Sequence, residues 1–235
     1  MANKKRKKKS AETVKKDKDI ISQAEQAIAH NKILKSILII ILVIAVAFVA
    51  FIFISKSLTK FEYRGVDFEV VKFCDSGPPC LTTYKTSLPV RVYGNNTIKV
   101  VRPSEKTNDY NFYIRNDPRD LDVDFKGQIV FKENMVLNSE EDFICEGKGA
   151  IAGANLVRLY EILGARVMKD ENATCDPFGR YTLITIKQGN ETKIEHRWPA
   201  CYDIYIKDCE VLEGTEKFMI ETFVEFNKIM QNQSS

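Results

Sequence analysis

The chain has 235 residues, of which 44% are hydrophobic and 29% charged, with a formal net charge of +3. That composition excludes a fibrous or disordered polypeptide and suffices for a domain with a buried core. The placement of the charge excludes nucleic acid as a partner of the folded part, because residues 1–36 carry +7 and the remainder carries −4.

Residues 4–9 read KKRKKK, and Lys15, Lys16 and Lys18 follow. Lysines with so little aromatic or glycine interleaving carry no base-reading chemistry; ahead of an apolar run they are a positive-inside signal. Ile20, Ile21, Ala24, Ala27 and Ile28 recur at helical spacing and predict a short amphipathic helix. Residues 37–54 read ILIIILVIAVAFVAFIFI, eighteen residues without a polar side-chain atom. At about 1.5 Å per residue this run spans roughly 27 Å as a helix, close to the ~30 Å hydrocarbon core of a bilayer. The expectation is an uncleaved transmembrane signal anchor in the cell membrane, with the lipid bilayer as partner. Residues 1–36 are then a cytoplasmic tail, and residues 60–235 form an extracytoplasmic domain.

Past the anchor the pattern turns to strands. Phe61, Tyr63, Val66, Phe68 and Val70 alternate with polar residues. Residues 88–93 and 97–102 read as a hairpin across Gly94-Asn95-Asn96. Residues 111–115 form a short strand, and residues 115–120, Arg-Asn-Asp-Pro-Arg-Asp, a charged turn. Asp120, Asp122 and Asp124 alternate with Leu121, Val123 and Phe125, which reads as a solvated face rather than a calcium site. Residues 129–131 and 135–137 look like further strands, so 61–140 is β-rich.

Residues 147–164 read as a helix stopped by Gly164. A strand at 165–168 follows, then a second hairpin joining 181–186 to 192–197, and a strand at 201–206. A final helix over about 215–230 carries Met219, Phe223, Phe226 and Met230 as an apolar stripe. The fold class expected is α+β: a single N-terminal transmembrane helix, then a disulfide-stapled ectodomain of β-hairpins packed with two helices. Its halves, 61–140 and 143–232, are candidate subdomains.

All six cysteines follow the apolar run, which predicts disulfides in an oxidising compartment. Cys74 and Cys80 bracket DSGPP, which can turn. For the other four, three pairings are open. A hairpin over 181–197 would bring Cys201 near Cys175, leaving Cys145 for Cys209.

Gly147-x-Gly149-x-x-Ala152, with Asp170 about twenty positions on, resembles a dinucleotide-binding fingerprint over some 28 residues. The short apolar lead, Phe143 and Ile144, and the extracytoplasmic setting speak for a close-packed start of a helix instead. No GxSxG, HExxH or P-loop occurs; Ser57-x-x-Lys60 stands without its companion motifs, and His196 reads as solvent-facing. No metal and no cofactor is expected. Asn95, Asn172, Asn190 and Asn232 each begin a glycosylation sequon. The function expected by elimination is a non-enzymatic, membrane-anchored surface or envelope module that binds a protein or a glycan. The alternative is an extracytoplasmic enzyme or small-ligand domain with a cleft formed by Gly147, Gly149, Arg115 and Arg119. Oligomeric state is open.

Overall fold

The computed structural model describes residue 35 and residues 38–52, 59–74, 77, 79–93, 98–101 and 107–232. The basic tail apart from Lys35 lies outside the described residues, as do the amphipathic stretch at 20–28, Ser57 and Asn95. Residues 38–52 form a helix, α1, whose apolar side chains are exposed throughout. No helix among the described residues is long and apolar enough to cross a membrane. The run expected to span one, 37–54, begins and ends on residues outside the description.

Residues 59–235 form a compact unit of their own. It is α+β, and all three disulfides lie within it. The first sheet is antiparallel: β1 (Lys60–Tyr63), β2 (Val66–Phe73), β3 (Leu81–Val92) and β4 (Ile98–Val100) in order, with β5 (Asn108–Ile114) also on β3. What reads in sequence as one alternating strand over 61–70 is a hairpin. Arg64 and Gly65 both take positive φ (52° and 84°), the signature of a two-residue turn matched to strand twist. Pairing of Val90 with Val100 and Val92 with Ile98 makes the hairpin expected of 88–93 with 97–102, and residues 94–97 between them lie outside the described residues.

The second sheet is mixed. It runs β6 (Asp124–Lys126), β10 (Lys193–Arg197), β11 (Cys201–Ile206), β9 (Thr182–Gln188), β7 (Asn134–Ser139), β8 (Arg166–Met168). Both edge strands have three residues, which limits the unpaired backbone they expose. Residues 129–131 are not a strand. The expected hairpin of 181–186 with 192–197 does not form either. β9 pairs parallel with β11, and β11 pairs antiparallel with β10, so β11 lies between the two. The tight hairpin is β10–β11, closed through the cis Trp198–Pro199 bond. Inserting β11 buries its nearly unbroken apolar run (Tyr202, Ile204 and Ile206 at 0% exposure) at the sheet centre, where a two-strand hairpin would leave it at an edge.

Two helices, α2 (Lys148–Ile162) and α3 (Val211–Asn232), pack against both sheets and share one hydrophobic core with them. Phe223 of α3 meets Phe112 of the first sheet at 5.3 Å between ring centroids. Phe218, one turn earlier, meets Tyr202 of the second at 5.1 Å. Residues 218–224 are all buried, two full turns without a solvent face. The stripe read from sequence is thus only part of the buried surface. A second, smaller cluster (Val136, Leu183, Cys201) lies on the other face of the second sheet, covered by Met168, Ala173, Cys175 and Tyr181.

Candidate functional site

Gly147 and Gly149 line a cleft of about 620 Å³ at the carboxyl ends of β7 and β9 and the start of α2. β7, α2 and β8 make a parallel strand–helix–strand unit, the setting in which such ends bind ligands. The glycines nevertheless do a different job here. A Cβ on Gly149 would lie 1.7 Å from the Phe143 carbonyl oxygen. The space that a fingerprint glycine leaves for a pyrophosphate is filled by the chain's own backbone. β7 ends at Ser139, and residues 140–147, including the 3₁₀ turn Cys145–Gly147, lie between it and the helix. Glu141, Asp142 and Glu171 line the cleft against one cation, Lys169, so its charge opposes a phosphate. Asp170 accepts a hydrogen bond from its own loop, the Asn172 N–H at 3.1 Å.

Arg115 and Arg119 do not line that cleft. They belong to the turn that docks on α3. The buried Glu216 carboxylate accepts the N–H of Arg115 at 2.8 Å and, through its other oxygen, the N–H of Asn116 at 3.0 Å and its Nδ2–H at 2.8 Å. Arg119 folds back on Asp117, with Nε at 2.9 Å and Nη2 at 2.6 Å from its carboxylate oxygens. Its guanidinium also stacks 4.0 Å from the centre of the Phe61 ring. The four residues read as one cleft are two structural features, each explained by packing.

Sequence reasoning passed over Phe178 and Trp198. Each is 82% exposed, more than any other large hydrophobic side chain of the described domain residues. Neither belongs to a periodic stripe, so nothing in the pattern singles them out; their exposure is the signal. The segments that carry them touch. A Cβ on Gly179, which has φ +59°, would lie 2.8 Å from Cγ of Pro199. Cys175 is bonded to Cys201, with Cα atoms 5.8 Å apart, across the base. The buried Asp176 carboxylate accepts the N–H groups of Phe178 (3.3 Å) and Arg180 (2.7 Å) and the Arg180 Nε–H (3.0 Å). Those bonds hold its pKa down at about 2, the Arg180 side chain being the largest cause. Tyr181 donates its hydroxyl to the Thr174 carbonyl. The backbone of the tip is therefore fixed, and two aromatic rings stand in water at its end.

His196 is half-buried and stacks on Tyr202 at 4.7 Å, not facing solvent as its strand neighbours suggest, because β10 turns Ile194 and His196 toward the helices. Among the described residues no group of His, Cys, Asp or Glu is placed to hold a metal, and Asp120, Asp122 and Asp124 are exposed. Asn172, Asn190 and Asn232 are also exposed. Cys74–Cys80, Cys145–Cys209 and Cys175–Cys201 are disulfides. The 181–197 hairpin expected to bring Cys175 and Cys201 together is absent; Cys201 sits instead on β11 opposite Leu183 of β9. Comparison with protein-family models, with curated proteins and with solved structures finds no match to this chain.

Proposed function

We propose that the chain is a single-pass membrane protein whose extracytoplasmic domain, residues 60–235, binds a protein or glycan partner at the cell surface. The observation that carries this is a division of the chain: an eighteen-residue apolar run with basic residues before it, and all six cysteines, paired, after it. A partner face is available on the outer side of the first sheet, where Phe73, Leu81 and Tyr113 are 42–46% exposed and Phe73 packs edge-on against Tyr113 at 5.6 Å. Protease added to intact cells or spheroplasts digests the domain; a domain protected until the membrane is opened refutes the orientation. Pull-down with the domain recovers an envelope component that Tyr113→Glu no longer captures.

A second reading, a small ligand in the cleft at Gly147, is supported by the position of that cleft at parallel strand ends. Gly153 is the residue to test it with. It lines the cleft, and a Cβ there meets nothing within 4 Å, so Gly153→Val fills the site without straining the loop. Thermal stabilisation by a small molecule, lost in that variant, would favour this reading over the first.

A further inference from the structure

We propose that the Phe178–Trp198 tip is a membrane-contact point that seats on an anionic lipid surface, in addition to any anchor the chain carries. Three observations support it. The rings are aromatic and 82% exposed, and the backbone beneath them is already fixed by the Asp176 bonds and the Cys175–Cys201 disulfide, so little backbone ordering is needed when they enter an interface. The charges beside them are cationic at the surface. Arg180 and Arg197 have side chains 76% and 46% exposed, while their partners Asp176 and Asp203 lie beneath at 2% and 3%. Lys132 reaches the same spot, its Cε 3.6 Å from a Cβ on Gly179. Aromatic rings rimmed by cations match the headgroup level of a bilayer, where rings sit among the glycerol groups and cations meet phosphates. A sugar-binding platform needs carboxylates free to accept from hydroxyls. The two carboxylates here are turned inward, Asp176 onto Arg180 and Asp203 onto Arg197 and Lys187.

Trp198 is the chain's only tryptophan, so its fluorescence reports on this site alone. The domain 59–235 has its own core and all three disulfides, and it is tested without the anchor; the result is thus separate from the reading of residues 37–54. The probe is a suspension of phosphatidylcholine vesicles with and without phosphatidylglycerol. With phosphatidylglycerol, Trp198 emission shifts to the blue and is quenched by brominated acyl chains; without it, partitioning is weaker. Phe178→Ala lowers partitioning roughly tenfold through lost apolar area. Lys132→Glu lowers it about fivefold or more on anionic vesicles only. Both variants should melt as the parent does; should Lys132→Glu fail to fold, the parent's preference for anionic over neutral vesicles tests the charge by itself. Emission unchanged by either vesicle overturns the proposal. So does binding that leaves Trp198 in water, equal binding to neutral and anionic vesicles, or a Trp198 shift produced by a polysaccharide or protein while vesicles give none.

Discussion

Glu216 is a carboxylate almost without water, 1% exposed on α3, with three donors from Arg115 and Asn116 aimed at it. Burial raises its pKa, and the three hydrogen bonds pull it part of the way back. A carboxyl raised in the folded state contributes most when protonated, so this site loses stability as the pH rises from the ordinary carboxylate range through the raised value. Glu216→Ala strands three donors and should cost about 3–5 kcal/mol in urea unfolding. Glu216→Gln, which turns an NH₂ toward donors, should cost about 1–3 kcal/mol and remove the pH dependence. Asp176 has the opposite sign. Its folded value near 2 lies below the unfolded 3.8, so its contribution is complete above about pH 4 and is lost as the pH falls toward 2. An acid titration of stability should be shallower across that window in Asp176→Asn. Gly149 carries a warning of a different kind. Any side chain there meets the Phe143 carbonyl, so a loss of binding in Gly149→Val would report on the fold and not on a ligand.

The disulfides close loops of very different length. Cys74–Cys80 closes the β2–β3 hairpin over a separation of 6 residues, Cys175–Cys201 clamps the tip loop to β11 over 26, and Cys145–Cys209 joins the 3₁₀ turn before α2 to the segment before α3 over 64. In the chain-entropy model the gains are about 2, 3.5 and 4 kcal/mol. Paired Cys→Ala variants should therefore lose stability in that order. A larger loss for Cys74/Cys80 than for Cys145/Cys209 in equilibrium unfolding would show that native strain or residual structure dominates over loop closure. On the helices, Gly214 lets α3 lie close on β11. A Cβ there would come 2.7 Å from Cδ1 of Ile206, so α3 is seated on the sheet by a residue with no side chain.

At the scale of the molecule, α3 joins the two sheets, and residues of 61–140 and 143–232 belong to one hydrophobic core. The halves are therefore not expected to unfold separately. Calorimetric and van't Hoff enthalpies of residues 59–235 should agree, and far-ultraviolet and near-ultraviolet circular dichroism should give coincident transitions. Two resolved transitions would mean that the sheets hold their own cores.

Local chemistry by itself determined much of this protein. Helix α2, stopped at Gly164, strand β11 and the β3–β4 hairpin follow from short-range periodicity and turn residues, and so were legible. The Cys74–Cys80 pair was legible because the two ends of a five-residue loop cannot be far apart. What depends on distant parts of the chain was not. Nothing within residues 181–206 says that β11 enters between β9 and β10, because strand order is chosen by which strand buries the most apolar surface against helices formed elsewhere. The same limit hid the all-round burial of α3, which needs a second sheet from the first half of the chain to cover the face that its own half leaves open. Gly147–Gly149 looks like a binding motif for a nearer reason, a turn of residues 143–149 that sets the Phe143 carbonyl beside Gly149, while distance along the chain remains the limit elsewhere. And it concealed Phe178 and Trp198, which are unremarkable as letters and become a surface only when the fold leaves two rings with nothing to cover them.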